Sequence, residues 1–149
     1  MSGTKKPVSV LVLIHTPALE ILLLERASRQ GFWQSVTGSQ EDGEELRATA
    51  RREVREETGI DAAAEDLIDW RLSHRYEIFA EWRHRYAAGV SHNLEHVYSL
   101  CVPRQTPIVL SPSEHLDHLW LPWREAADKV FSWSNRDVIL MLPLRQPDS

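Results

Sequence analysis

The chain has 149 residues, of which 42% are hydrophobic and 26% are charged, and its formal net charge is -5. This length fits one domain with a substantial core, so we expect residues 1–149 to form a single unit with loose tails at 1–6 and 145–149. The composition argues against a fibrous or largely disordered protein, and the longest apolar runs are too short to span a membrane. The negative charge argues against a general nucleic-acid-binding protein. A single cysteine excludes an intrachain disulfide and favours a reducing, cytoplasmic location.

The first third of the chain is typical of strands separated by turns. Aliphatic and β-branched residues at 8–14 predict a strand that is buried on both faces. A turn at Pro17 leads to a second predicted strand at 21–25. A third strand is expected at 32–37 and should stop at Gly38.

A helix is predicted at 45–58, after a loop at 39–43. The segment contains good helix formers and no internal Gly or Pro, and Gly59 follows it as a C-cap. Later segments are predicted as strands at 66–79, 95–102, 107–110 and 118–121, a loop at 86–93, and helices at 124–131 and 135–142. Strands with two or three interspersed helices indicate an α/β or α+β fold around a mixed sheet.

Three glutamates of the predicted helix are grouped on one face. Glu53, Glu56 and Glu57 stand at i, i+3 and i+4, and so span about 100° of the helix surface. Crowded carboxylates repel one another, and Mg²⁺ is suited to relieve the repulsion because it prefers oxygen ligands and is often shared with phosphates. A solvated helix face, on which the glutamates pair with nearby arginines, is the alternative that the charge pattern leaves open.

The spacing of residues 38–60 favours the metal-binding interpretation. The segment reads Gly38, five residues, Glu44, seven residues, Arg52-Glu53-Val54, one residue, Glu56-Glu57, one residue, and Gly59-Ile60. It resembles the Nudix box at every constrained position. The resemblance implies a loop–helix–loop motif within an α/β/α sandwich that has a mixed β-sheet. It also implies Mg²⁺- or Mn²⁺-dependent hydrolysis of a nucleoside diphosphate linked to another group.

The resemblance also implies roles for individual residues. Glu53, Glu56 and Glu57 match the metal-binding glutamates of the box, and the Gly38 carbonyl matches a backbone ligand. The pair Arg52 and Glu44 matches the charged pair that steadies the helix and orients the ligands.

Shorter motifs outside the box resemble one bacterial branch of the same family. They run from about residue 5 to residue 140 and include FWQSVTGS at 32–39, RHRYA at 83–87 and SWSNR at 132–136. The resemblance implies removal of pyrophosphate from 7,8-dihydroneopterin triphosphate, which leaves the monophosphate, in folate biosynthesis. The alternative is a pyrophosphohydrolase for nucleoside or deoxynucleoside triphosphates, such as dATP or oxidised nucleotides.

This branch adds Glu114 as a further metal-binding glutamate and a set of substrate contacts. By matched position, the contacts are Lys5, Arg26, Thr37, Tyr76, Glu77, Ile78, Phe79 and Ser132. Lys6 could replace Lys5, and the segment 83–86 could either reach phosphates or form a solvated turn.

The expected partner is a small pterin or nucleoside triphosphate, with no nucleic acid or membrane involved, and the oligomeric state stays open. In the expected reaction, Mg²⁺ bridges the box glutamates and the substrate phosphates, water attacks at the α–β linkage, and pyrophosphate leaves. Glu114 either completes the metal site or serves as general base, and a box glutamate is an alternative base.

Overall fold

A computed structural model describes residues 4–145 and shows a mixed β-sheet with helices on both faces. The described strands and α-helices are β1 (Val8–His15), β2 (Glu20–Arg26), β3 (Trp33–Gln34), β4 (Val36–Ser39), α1 (Leu46–Thr58), β5 (Leu67–Glu77), β6 (His92–Cys101), β7 (His115–Pro122), α2 (Trp123–Lys129) and α3 (Trp133–Arg145). Two short 3-10 helices, Ala64–Asp66 and Ala80–Arg85, lie on either side of β5. No helix within 4–145 is both long enough and apolar enough to span a membrane.

The sheet is centred on β1, which pairs in parallel with β6 along its whole length. β5 continues the sheet on the far side of β6 as an antiparallel neighbour. The other edge of β1 is shared, because β4 pairs with Ser9–Val12 while β2 meets β1 only at His15 and Ile21. Beyond that point β2 pairs with β3 and β7 instead. The sheet therefore divides along this edge of β1, and the division leaves room for a cleft.

The core has one layer on each face of the sheet, because alternate residues of a strand point to opposite faces. On one face Val10, Val12 and Ile14 pack with Ala50 and Val54 of α1. On the other face Leu11 and Leu13 of β1 pack with residues of α2 and α3, among them Ala126, Val138 and Leu142. The expected α/β/α sandwich with a mixed sheet is confirmed.

The helix α1 has the boundaries that its sequence predicts to within one residue. Glu45 is the N-cap and Gly59 is the C-cap. Gly59 has a φ of 78°, which a residue with a side chain adopts only with strain, and its N–H donates to the Arg55 carbonyl. The helix therefore ends directly after the glutamates, and the packing of Ala50 and Val54 with β1 sets the directions in which they point.

Several predicted boundaries are wrong. The strand expected at 32–37 is two short strands, and the second continues through Gly38 to Ser39 because it pairs with β1. The predicted loop at 86–93 ends early, since β6 starts at His92. The segment 107–110 is not a strand. Its apolar side chains Ile108 and Leu110 pack on the core beside α1, and the Val109 N–H donates to the Thr58 carbonyl.

The expected loose tails fall partly outside the described residues, at 1–3 and 146–149. Two described residues within the expected tails are ordered by the fold. The Lys5 N–H donates to the Arg85 carbonyl at 2.7 Å, and Arg145 is the last residue of α3. The tail prediction is therefore wrong for these two positions.

Candidate active site

A cavity of about 440 Å³ opens where the sheet divides beside α1. Side chains of β2, β4, β5, β6 and β7 line it, together with residues from the C-terminal half of α1, the Ala80–Arg85 helix and the first turn of α3. The lining combines charged side chains with aromatic rings, which gives the cavity the character of a site for an anionic ligand that also carries a ring.

Glu57 is a deeply buried carboxylate in the lining of this cavity. Its side chain is 2% exposed, although it lies on a helix whose sequence is strongly charged. Burial raises the pKa of Glu57 well above its usual range, and the neighbouring Glu53 and Glu114 raise it further. The Oε1 atom has no hydrogen-bond partner. His115 Nε2 lies 3.6 Å from Glu57 Oε1. Burial lowers the pKa of His115 to about 4, so the two side chains do not form an ion pair at neutral pH.

Glu53 lies one helical turn before Glu57 and interacts with it through a carboxyl–carboxyl hydrogen bond. Burial raises the pKa of Glu53, while Glu57 and Arg52 act in the opposite direction. The backbone of Gly38 passes against this side chain so closely that a Cβ at position 38 would overlap the Glu53 carboxyl group. Glycine at this position therefore lets the strand backbone reach the carboxylates of the helix.

Arg52 connects the loop before α1 to the glutamates on it. Its Nε and Nη2 donate to the two oxygens of Glu44 at 2.8 and 3.0 Å, and Nη2 also donates to the Ser39 carbonyl at 3.0 Å. Its Nη1 donates to Glu53 Oε1 at 2.6 Å and to Glu56 Oε2 at 3.3 Å. The bond from Arg52 lowers the pKa of Glu44 to about 2, so Glu44 remains charged at neutral pH.

The three box glutamates are not equivalent in the structure. Glu53 and Glu57 are buried, whereas half of the Glu56 side chain is exposed. Within 4–145 no three acidic or histidine side chains are already arranged as a finished metal site. Glu57 nevertheless has a buried oxygen without a partner, Glu53 lies one turn away on the same helix face, and Gly38 has no side chain to separate the strand backbone from Glu53. Hard oxygen donors of this kind fit Mg²⁺.

Cationic side chains surround the open part of the cavity. Lys5, Arg26 and Arg85 all line it. The surrounding protein lowers the pKa of Lys5, and the positive charges of Arg85 and Arg26 lower it further. The Arg26 guanidinium lies 4.4 Å from the centre of the Trp82 ring and donates to Gln34 Oε1 at 3.1 Å. These groups can bind phosphate oxygens without a large movement of the backbone.

The structure brings most of the predicted site residues to this one cavity. Its lining includes the metal-site residues Gly38, Glu57 and Glu114, and the substrate residues Lys5, Arg26, Thr37, Tyr76, Glu77, Ile78, Phe79 and Ser132. Arg52, Glu53 and Glu56 lie next to it on α1 and are not part of its lining. The predicted roles of these residues in binding and catalysis stay predictions.

Residues 83–86, for which a phosphate contact and a solvated turn were both left open, are divided between the cavity and the turn. Arg85 and Tyr86 line the cavity. Arg83 instead donates to the Ile78 carbonyl at 3.0 Å and pairs with Glu77 at 3.4 Å, which holds the turn in shape.

Sequence reasoning missed several lining residues. Asn93 and Glu95 of β6 are the clearest, being 1% and 3% exposed. Together with the buried Val97 they occupy every second position of β6. This period-two pattern could have identified them. The aromatic residues Trp82 and Phe131 were also missed, and they form a ring cluster with Phe79.

Comparisons with known proteins agree with this geometry. The NUDIX domain family model matches residues 5–142. The dihydroneopterin triphosphate diphosphatase of Escherichia coli K12 is 46% identical over 138 residues, which are 91% of each chain. The protein of the same name from Haemophilus influenzae is 37% identical over 93% of this chain and 89% of its own.

A solved structure is also similar along almost the whole chain. The structure of the E. coli dihydroneopterin triphosphate pyrophosphohydrolase superposes with a TM-score of 0.90 and 42% identity, and the match covers 97% of this chain and 100% of that one. The domain match, the sequence identity and the shared architecture lead to one conclusion. The chain belongs to the Nudix family of hydrolases.

Proposed function

We propose that this protein hydrolyses 7,8-dihydroneopterin triphosphate, with Mg²⁺ or Mn²⁺, to dihydroneopterin monophosphate and pyrophosphate. The observation that carries the proposal is that the Glu57 carboxylate, cationic residues, and aromatic and polar residues all line one cavity. A triphosphate attached to a flat heterocycle needs both kinds of surface. Two curated relatives at 46% and 37% identity are named for this reaction, which supports the same substrate.

Glu53 and Glu57 are proposed to hold the divalent cation, with the Gly38 carbonyl as a further ligand. Arg52 keeps one Glu53 oxygen in place through its bond of 2.6 Å, and Glu44 fixes Arg52 in turn. When bound, the cation would neutralise phosphate charge and lower the pKa of a coordinated water. Glu56 is the most exposed of the three glutamates and stands nearest to the solvent side of this site.

The other residues of the cavity bind and orient the substrate. Lys5, Arg26 and Arg85 line the cavity, and we expect them to contact phosphate oxygens and to stabilise the charge that develops on the departing pyrophosphate. Glu114 lies on the same cavity and its charge acts on both Glu57 and Lys5. Its proposed role is either that of a metal ligand or that of the general base for the attacking water.

We place this reaction in folate biosynthesis and in the cytoplasm. The pterin triphosphate named for the relatives supports the pathway. A single cysteine in 149 residues is compatible with a reducing compartment.

Product analysis with a substrate panel tests the proposal. The purified protein is incubated with Mg²⁺ and 7,8-dihydroneopterin triphosphate, dATP, dGTP or 8-oxo-dGTP, and kcat/KM is measured for each. We expect the highest kcat/KM for the pterin substrate, with pyrophosphate as product and no reaction in EDTA.

Two results would contradict the proposal in different ways. A preference for dATP or 8-oxo-dGTP would assign the protein to nucleotide hydrolysis instead. No phosphate or pyrophosphate release from any of these compounds would remove the hydrolytic function altogether.

A further inference from the structure

We propose that Glu95, assisted by Asn93, binds the edge of the substrate heterocycle that carries a ring N–H next to an amino group. This inference rests on the proposed function, because it concerns the ring end of the same cavity. It predicts that a ring with a 2-amino group beside a ring N–H, which pterin and guanine share, binds more tightly than the same ring without that amino group.

Glu95 is a buried carboxyl group with few hydrogen-bond donors around it. The residue is 3% exposed and lines the cavity. Among residues 4–145 its one polar side-chain partner is Ser134, whose Oγ donates to Oε1 at 3.2 Å, and it forms no salt bridge with a basic residue. A buried carboxylate costs free energy unless donors satisfy it. The structure therefore presents an acceptor group to the cavity without a full set of donors.

Asn93 supplies a second polar group of the same kind. Its side-chain nitrogen donates to Ser9 Oγ at 2.7 Å and to Tyr76 Oη at 3.0 Å, which uses both of its N–H bonds. The Oδ1 atom is buried and has no partner. Asn93 and Glu95 are two residues apart on β6, so they project from the same face of the sheet. Asn93 Oδ1 and the Glu95 carboxyl group consequently lie on the same side of the sheet.

The position of Glu95 in the sheet suits the far end of the substrate. Glu95 pairs with Ser9 of β1, and Ser9 pairs with Ser39 of β4, next to Gly38. Two strand spacings, or about 10 Å, therefore separate Glu95 from the strand that carries Gly38. A heterocycle joined to its α-phosphate through a three-carbon side chain is long enough to bridge such a separation.

Aromatic rings in the lining of the same cavity suit a planar ring. Phe79 and Trp82 are stacked with ring centres 5.1 Å apart, and Phe131 is 5.9 Å from Phe79. All three line the cavity. Apolar surfaces beside the ring strengthen hydrogen bonds at its edge because they exclude water.

The chemistry of the edge determines which rings are accepted. A 2-amino-4-oxopyrimidine ring offers two parallel N–H donors, from N3 (N1 in guanine) and from the 2-amino group, which match the two oxygens of a carboxylate. Burial raises the pKa of Glu95 to about 7, and two donors from the ligand would stabilise its charged form.

The native protein alone provides the first test, through dGTP and dITP, which differ only in the 2-amino group. We expect kcat/KM for dGTP to exceed that for dITP by about 10-fold or more, since the missing donor leaves a buried acceptor unpaired. Equal values for the two nucleotides would overturn the proposal, and this comparison does not require any variant to fold.

The second test uses Glu95→Gln, with the exposed Glu65→Gln as a matched control. We expect Glu95→Gln to raise KM for the pterin substrate by about 10- to 100-fold with little change in kcat, and to bring the dGTP and dITP values together. A uniform loss of activity on dGTP, dITP and dATP would indicate general structural damage and would contradict the proposal.

Calorimetry with dihydroneopterin monophosphate in EDTA separates this inference from the proposed function. The compound has no anhydride bond, so its binding does not depend on hydrolysis. We expect it to bind the native protein and Glu65→Gln equally, and Glu95→Gln about 10-fold or more weakly. Unchanged affinity in Glu95→Gln overturns the inference while leaving hydrolysis intact, whereas failure of hydrolysis with normal binding overturns only the proposed reaction.

Discussion

The backbone of Gly38 lies so close to the side chain of Glu53 that any β-carbon at position 38 would overlap the carboxyl group. The two residues come from different elements, the strand β4 and the helix α1. Their close approach connects the loop–helix motif to the edge of β1, because Gly38 pairs with Val10. The geometry of the proposed metal site therefore depends on a residue that has no side chain.

We expect Gly38→Ala to reduce kcat strongly while costing little stability. The added methyl group would displace Glu53, and a misplacement of about 1 Å in a catalytic group can cost about 100-fold in rate. Steady-state kinetics with the pterin substrate and a thermal melt measure the two effects.

Gly89→Ala provides the contrasting control. Gly89 has a φ of 86° and open space around its Cβ position. Alanine there should cost about 1 kcal/mol of stability through backbone strain and leave kcat unchanged. Normal activity in Gly38→Ala would show that the close packing against Glu53 is not required.

The local sequence predicts the helix-borne part of the site well. The spacing of Glu53 and Glu57 and the position of Gly59 depend only on helix geometry, and both are found as expected. The degree of burial was harder to predict. The side chain of Glu57 is 2% exposed, because His115 and the backbone of Thr37 on β4 lie beside it.

The first two residues of β6 fall within the loop predicted at 86–93, although Asn93 lines the cavity. Asn93 lies in a stretch of mixed polar residues that resembles a loop, and it becomes part of a central strand only through pairing with β1 and β5. The reverse error occurred at 107–110, where an apolar run packs against the core without a strand neighbour. In both cases, contacts distant in sequence decide the structure.

The pair of Arg52 and Glu44 should make the protein sensitive to acid. The pKa of Glu44 is about 2 in the folded state against 4.5 normally, so its contribution to stability is complete above pH 4.5 and decreases as the pH falls towards 2. Glu44→Gln has no such proton to bind. From pH 7 to pH 3 we expect the free energy of unfolding, measured in urea, to fall by about 2 kcal/mol more in the native protein than in this variant. Parallel losses in the two proteins would contradict this role of the pair.

Glu95 should have the opposite effect on the pH dependence of stability. Its pKa is about 7 in the folded state and 4.5 normally, so the folded state binds the extra proton between these values and loses stability as the pH rises from 4.5 to 7. Glu95→Gln removes this loss. Urea unfolding at pH 5 and pH 8 should show the native protein losing up to about 3 kcal/mol relative to the variant. If the difference in unfolding free energy between the two proteins is the same at pH 5 and at pH 8, Glu95 does not titrate in this range.

Two buried glutamates of one helix are proposed to hold a divalent cation that permits water to cleave a phosphoanhydride. The most direct measurement is pyrophosphate release from 7,8-dihydroneopterin triphosphate as a function of Mg²⁺ concentration, in the native protein and in Glu57→Gln. We expect release to require Mg²⁺ and kcat to fall by at least about 100-fold in Glu57→Gln, because a cation ligand is lost. The variant should remain folded, since a neutral amide replaces a buried carboxyl group. Normal Mg²⁺-dependent turnover in Glu57→Gln would contradict the role of Glu57 as a ligand of the cation.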